Sequence, residues 1–454
     1  MKKTISLLLF AMLFVTFNFA QTPKMIEYPE PPRAKGQTDV LQLACKPIDT
    51  VRIAFIGLGM RGSDAVRRYM AIEGVRVVAL CDIVPERVDA SNEVLKKNHR
   101  PLAEKYSGEE GWKKVCERKD VDLVYVTTHW LLHTPIAIYA MEHGKHVVTE
   151  VPAALTIDEC WQLVNTAEKT RRHFMMLENC CYDFFEMATL NMAQHGLLGD
   201  IVHGEAAYIH DLRWLNFDDK TGYWNMWRLK YNTEHTGNPY PTHGLGPVCQ
   251  AMNIHRGDKM NYLVSVSTDQ FGMTEYAKKK FGEDSKYAKN PIKLGDMNTT
   301  VIRTEKGKTI MVQHDVTSPR PYDRIHKISG TKGYVVKYPE ERIALEPAAH
   351  EFLSDAKKDS LLKVYEHPFS KEIGELAKKV GGHGGMDFIM DYRLIYCLRN
   401  GLPLDEDVYD AAEWSSIVEL SEKSVQNGSM PVKIPDFTRG AWDKLKGLKF
   451  AEKK

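Results

Sequence analysis

VRIAFIGLGMRG, Val51–Gly62, is a short apolar run that ends in glycine, and its reading decides the fold. A strand apolar on both faces fits VRIAF, and a helix is expected from Met60. Between them lies Gly57-Leu58-Gly59-Met60-Arg61-Gly62, the spacing of a turn that lets backbone approach a pyrophosphate. A lone glycine triplet of this kind is weak evidence. Here the next apolar run, VRVVALCD (75–82), ends in Asp82, twenty residues after Gly62. An acidic side chain at that distance can hydrogen-bond ribose hydroxyls and would repel a 2′-phosphate, so NAD is favoured over NADP.

The rhythm continues outward. Helical Pro85–Asn98 precedes a third apolar run, DLVYVTT (122–128). Helical Pro135–Glu142 precedes KHVVTE (145–150), and helical Ile157–Lys169 precedes HFMMLEN (173–179). Continuous apolar strands alternating with helices predict a doubly wound parallel sheet covered on both faces. The turn Trp130-Leu131-Leu132-His133 falls at the carboxyl end of the third run, where clefts in such sheets open, and is expected to wall the nicotinamide ribose. His129 and His133 stand four apart, but no third ligand candidate lies near them, and no metal is predicted.

After about residue 200 the pattern changes. IVHGEAAYIHDL, YLVSVSTDQF, TTVIRTEKGKTIMVQHDV and HKISGTKGYVVKY read as strands joined by glycine turns, giving an open, mostly antiparallel sheet. Two polar stretches, 214–240 and 275–298, are expected as long loops. DFIMDYRLIYCLRNG and VYDAAEWSSIVELSEKSVQNG close the chain as helices. The predicted organisation is a signal peptide over 1–20, a Pro-rich arm over 21–50, a Rossmann domain over 51–180 and an α+β substrate domain over 181–454.

With 454 residues the chain exceeds one ordinary core. Its 61 Lys+Arg against 60 Asp+Glu give a net charge of +1, and no basic stripe suggests nucleic acid. MKKTISLLLFAMLFVTFNFA reads as a secretory signal, too short for a comfortable membrane span, and predicts a periplasmic protein without stable membrane insertion. No cysteine follows the cleavage site, and Lys2-Lys3 is not a twin arginine. The eight cysteines mostly sit inside apolar elements and are expected free and buried.

TEVPAAL (149–155) carries Glu150 and then Val151, where sugar dehydrogenases with this organisation carry a proton-moving lysine. Three further motifs bear chemistry. Tyr240-Pro241-Thr242-His243 joins a phenol and an imidazole in one turn that Pro241 stiffens; a surface turn before a helix is the alternative. Gly381-Gly382-His383-Gly384-Gly385 could swing a histidine over a ligand, or be a linker between the sheet and the last helices. Arg228, in WNMWR, has a donor fork suited to hydroxyl or acetamido groups. Trp224 and Trp227 beside it suit a sugar wall or a core. The acidic pairs Asp218-Asp219 and Glu340-Glu341 read as solvated surface.

Through GLGMRG, THWLLHTP, TEVPAALTIDECW, LENCCYD, WNMWRLKYNTEHTGNPYPTHGLGPV, SPRPYDR and GGHGG, the sequence resembles the Gfo/Idh/MocA oxidoreductase superfamily. Within it, the sequence is similar to glycoside hydrolase family 109, the NAD-dependent α-N-acetylgalactosaminidases. The resemblance implies NAD contacts at Met60, Arg61, Asp82, Trp130 to His133, Glu150, Val151 and Asn179. It implies sugar contacts at Tyr208, Arg228, Tyr240, Thr242, His243 and Tyr322. It further implies glycans ending in N-acetylgalactosamine as substrates, cleaved by transient oxidation at C3, loss of the C2 proton, elimination at C1, water addition and re-reduction. By analogy with the superfamily, the open sheet offers a homodimer face. The family is often exported with a twin-arginine signal, which the Lys-Lys start here lacks. A periplasmic sugar dehydrogenase and a non-catalytic sugar-binding protein that retains NAD remain the rival readings.

Overall fold

The computed structural model describes residues 25–453; the segment read as a signal peptide lies outside the described residues. Among these residues two sheets carry the chain. The first comprises β1 (Val51–Ile56), β2 (Val75–Asp82), β3 (Glu104–Ser107), β4 (Leu123–Val126), β5 (His146–Thr149) and β6 (Phe174–Met176). They lie in the order β3-β2-β1-β4-β5-β6, every neighbouring pair parallel. β4 and β5 are buried throughout, so each Val or Leu there is worth about 1.5–3 kcal/mol of burial. This double-sided burial is why they appear as unbroken apolar runs. Strand β3, EKYS, did not appear in that pattern because it is a sheet edge and mostly exposed. The strand order reverses between β1 and β4, which opens a crevice at their carboxyl ends.

The second sheet comprises β7 (Ile201–Ile209), β8 (Met260–Ser267), β9 (Asn298–Thr304), β10 (Thr309–Asp315), β11 (Lys327–Gly330), β12 (Gly333–Val336), β13 (Arg342–Leu345) and β14 (Val432–Lys433). Its order is β13-β12-β11-β7-β10-β9-β8-β14, antiparallel except for the parallel pair β7–β10. The stretches expected as long loops contain short helices between irregular segments. Trp227–Glu234, Gly272–Phe281 and Lys286–Lys289 are helices. Phe217, Leu229, Met273, Ala277 and Ala288 gather beneath them in a small separate core. So few apolar residues among many charges hid the helical period.

Residues 25–50 run over the surface with little regular structure. Ile26 bridges to Val432, Arg33 pairs with Glu168 at 3.0 Å, and the Cys45 N–H donates to Gly401. All eight cysteines are unpaired, and seven are buried. No helix among the described residues is long and apolar enough to cross a membrane.

Two packing details position the site. The helix Met386–Asn400, late in the chain, docks on the first sheet's domain. There Asp391 accepts from Arg68 at 2.9 Å and from the Tyr125 hydroxyl at 3.1 Å. The helix Thr242–Ala251 crosses β7 with Gly244 at the contact, where a Cβ would stand 2.4 Å from the Ala207 nitrogen.

Candidate active site

The glycine turn is shaped as a cradle. Gly57 has φ +91°, and a Cβ on Gly62 would lie 1.9 Å from the Gly57 oxygen. Gly59 meets nothing nearer than Arg87 Nη1, at 3.9 Å. Met60 and Arg61 are the first residues of the helix Met60–Tyr69, so their N–H groups lack intrahelical partners and face the turn's mouth. Asp82 accepts from the Leu58 N–H at 2.5 Å and the Val84 N–H at 2.8 Å. A carboxylate offers about four acceptor positions, so capacity remains for ribose hydroxyls. The absence of Cβ atoms where they would obstruct, unpaired N–H groups and an acceptor at the second strand's end fit a dinucleotide.

The turn Trp130–Leu132 and His133 clamp the segment after β5. Trp130 Nε1 donates to the Val151 oxygen at 3.1 Å, and the Thr134 hydroxyl donates to that of Ala153 at 3.0 Å. His133 Nδ1 lies 2.8 Å from the Pro152 oxygen and Nε2 lies 3.0 Å from that of Thr128. Both ring nitrogens thus face carbonyl oxygens, and burial lowers the imidazole's pKa. His133 is a structural tie, which disposes of pairing it with His129 around zinc. Leu131 alone in this turn is strongly exposed. Val151 is buried and has no group to ionise.

The YPTH turn folds into the site. Pro241 caps the helix that starts at Thr242, and His243 is its second residue. His243 Nδ1 lies 2.7 Å from Glu178 Oε1, and its Nε2 is 3.4 Å from the Tyr240 hydroxyl. A carboxylate only accepts, so Nδ1 carries a proton, and in the neutral imidazole Nε2 is left as the acceptor. Burial alone would raise the Glu178 carboxyl; the His243 charge and hydrogen bond hold it below the usual range. Burial raises Tyr240 well above the usual phenol value, so it stays a proton donor. Gly246 makes the pairing sterically feasible, because a Cβ there would sit 2.9 Å from Glu178 Cγ.

Aromatic rings surround this pair. Tyr208 lies 4.6 Å from Tyr240, 5.5 Å from His243 and 6.1 Å from Tyr322, centroid to centroid. Trp130 stacks on Tyr240 at 5.8 Å, joining the first domain's turn to the second domain's site. The Arg228 guanidinium sits 4.6 Å from the Trp130 ring, 4.4 Å from Tyr223 and 4.8 Å from Tyr240. It donates to the Tyr223 hydroxyl at 2.6 Å, while its buried Nε has no partner. Trp227 packs edge-on against Trp130 at 4.8 Å, whereas Trp224 leaves this cluster and stands half exposed. Thr242 is wholly buried.

GGHGG is a tight turn between the helices Pro368–Val380 and Met386–Asn400. Its glycines all have positive φ, and a Cβ on Gly382 would meet Asp387 Cβ at 2.7 Å. The expected freely swinging segment is therefore anchored. His383 Nδ1 is 2.9 Å from Asp387 Oδ2 and 3.1 Å from Arg61 Nη1, while half the side chain faces solvent. Asp387 also accepts from Asn179 and from Arg61, whose Nε donates to Glu150 at 2.7 Å. Burial would raise Asp387; Arg61 and His383 drive it well below the ordinary carboxylate range. Arg61, Asn179 and His383 thus meet at the Asp387 carboxylate, and Glu150 joins them through Arg61. Neither Glu178 nor Asp387 stood out in the sequence, although His383 and Asp387 are one helical turn apart.

Two groups of ligand-type side chains among the described residues could geometrically hold an ion. In Glu178, Cys180 and His243, Glu178 Oε1 and His243 Nδ1 are already paired with each other at 2.7 Å. In His255, Asp407 and Asp410 the Arg256 guanidinium already neutralises Asp410 at 2.7 Å.

Comparison with known proteins shows the chain's family. A family model described as "Glycosyl hydrolase 109, C-terminal domain" matches residues 182–444. One described as "Oxidoreductase family, NAD-binding Rossmann fold" matches residues 51–178. An alpha-N-acetylgalactosaminidase of Bacteroides fragilis is 58% identical over 414 residues, covering 91% of this chain and 97% of the relative. A glycosyl hydrolase family 109 protein of Porphyromonas gingivalis is 53% identical over 441 residues, covering 94% and 92%. Among solved structures, a levoglucosan dehydrogenase in complex with NADH and levoglucosan has a TM-score of 0.65 at 18% identity, covering 85% of this chain and 100% of that one. At that identity the likeness speaks for the fold.

Proposed function

The chain belongs to glycosyl hydrolase family 109, with an NAD-binding Rossmann domain, and on that premise we propose that it removes terminal α-N-acetylgalactosamine from glycans. The observation that carries the reading is the line Glu178–His243–Tyr240, stacked through Trp130 onto the turn that clamps Val151. Proton-moving groups therefore stand where a sugar would lie, while the position of the dehydrogenase lysine is inert.

Gly57, Gly59, Gly62, Met60, Arg61, Asp82, the Trp130 to His133 turn, Glu150, Val151 and Asn179 would hold the cofactor. When bound, NAD supplies a two-electron oxidant at sugar C3 and the matching reductant at the end of the cycle. The ketone at C3 acidifies the C2 proton, and His243 Nε2 takes it, with Glu178 stabilising the imidazolium that forms. The C3 hydroxyl proton passes to the Tyr240 oxygen as Tyr240 hands its own to His243 Nε2, so Tyr240 remains a phenol and His243 releases that proton to solvent before it takes the one from C2. The fixed charge of Arg228 faces the oxygen that gains electron density. His383, tethered through Asp387, protonates the departing C1 oxygen and then takes a proton from the water that adds there. Tyr208, Thr242 and Tyr322 complete the sugar site, Thr242 through its place in the turn. Two opposed carboxylates, as most glycosidases use, are not required.

The test is to incubate the purified protein, with no added cofactor, with p-nitrophenyl α-N-acetylgalactosaminide in deuterated water. Nitrophenol release with deuterium at C2 of the sugar and no accumulated NADH is expected. Accumulated NADH would establish the dehydrogenase rival, and sugar binding without turnover would establish the sugar-binding one. Export to the periplasm is inferred from residues 1–20 and is checked by fractionating the native host.

A further inference from the structure

The segment that serves the sugar site also reaches the dinucleotide cleft. Tyr223 turns inward and accepts from Arg228 at 2.6 Å. Its neighbour Trp224 turns the other way and lies over the Arg87 guanidinium, with Arg87 Cζ 4.8 Å from the ring centroid. Tyr223 is extended, φ −73° and ψ 112°, which sends adjacent side chains to opposite sides, and Asn225 and Met226 then turn the chain with φ +54° and +49°. Arg87 belongs to the helix Pro85–Lys97 of the NAD domain, so the contact crosses between domains.

Arg87 stands between the two positions expected to hold the cofactor. Its Nη1 is 3.6 Å from Asp82 Oδ1, and the same nitrogen is 3.9 Å from where a Cβ on Gly59 would be. Asp82 would take ribose hydroxyls, and Gly59 borders the pyrophosphate cradle. The pair thus puts an arginine beside an anion's path with a half-exposed tryptophan on its face. We propose that Trp224 and Arg87 are a retention clasp for the dinucleotide. Arg87 supplies charge to the pyrophosphate, Trp224 pins Arg87 in place, and release requires this contact to open. Because Tyr223 and Trp224 are adjacent, an occupied sugar site also steadies the clasp. The proposal rests on the reading that NAD is kept and recycled, for which slow release is an asset and not an obstacle.

The experiment loads the full-length protein with NADH, chases with excess NAD and follows nicotinamide fluorescence. Trp224→Ala and Arg87→Ala are expected to speed release about tenfold, consistent with a partly desolvated cation–π contact. Trp224→Phe is expected to restore most of the retention. Trp214→Ala removes another half-exposed tryptophan of the same region and is expected to leave release unchanged. Melting temperature at saturating NAD separates misfolding from release, and Arg87→Lys gives a second variant should Arg87→Ala fail to fold. Equal release rates in the wild type, Trp224→Ala and the Arg87 variants overturn the clasp while leaving the hydrolase reading intact. A wild-type protein that sheds its dinucleotide on purification overturns the clasp together with the reading that NAD is kept.

Discussion

His243 donates its Nδ1–H to Glu178 Oε1 across 2.7 Å, and this decides which side of the imidazole can do chemistry. Nε2 is left bare and turned to the Tyr240 hydroxyl. Glu178 Oε2 is buried without a partner, and Oε1 accepts also from the Cys180 N–H at 3.2 Å, so His243 is the one ring this carboxylate pairs with.

The pair makes Glu178 a positioning residue. Glu178→Gln keeps the volume but offers either an acceptor or a donor to Nδ1, so both tautomers become acceptable. It also removes the charge that stabilises the imidazolium. kcat on the aryl glycoside should fall ~10²–10⁴-fold, with KM changed only a few-fold. A kcat equal to that of the wild type would reduce the Glu178 contact to packing.

His243→Ala removes the acceptor itself. Cleavage should fall by ~10²–10⁴, and exchange of the C2 hydrogen with deuterated water should be lost in proportion. NAD content of the purified variant should stay that of the wild type, since His243 lies on the sugar side. Undiminished deuterium incorporation would assign the C2 proton to another base.

These assignments differ in how far sequence could reach them. Tyr240 and His243 are three residues apart on one turn, and local spacing brought them together. Glu178 is 65 residues before His243, and only the close approach at Gly246 joins them. Double burial writes β4 and β5 into the sequence as apolar runs, whereas the edge strand β3 has no apolar run to read. The glycines around His383 read as freedom, yet their positive φ values serve a turn anchored by Asp387. Arg87 and Trp224 meet across two domains, which no local pattern encodes.

A leaving-group acid matters most when the leaving group is poor. His383→Ala should therefore slow cleavage of an alkyl or glycan α-N-acetylgalactosaminide by ~10²–10⁴. With an activated nitrophenol the loss should be smaller, because that oxygen departs with less help. Equal losses for both leaving groups would move His383 from the C1 oxygen to a role in holding Asp387 and Arg61.

The buried cluster around His255 predicts a pH dependence of stability separate from catalysis. Burial alone would lower this imidazole, but Asp410 and Asp407 outweigh it against the opposing Arg256 charge, raising its pKa from 6.5 to about 9. Its ring nitrogens lie 3.3 Å from Asp410, 3.4 Å from Asp407 and 3.4 Å from Glu413. The folded value is above the unfolded one. The stabilisation is therefore complete below pH 6.5 and is lost as pH rises through about 9. Its size is on the order of 3 kcal/mol. His255→Gln should lower the melting temperature at pH 6.5 and flatten the wild type's decline between pH 6.5 and 9, so the two curves converge at the alkaline end. Parallel melting curves over that window would mean that His255 is neutral in the folded protein.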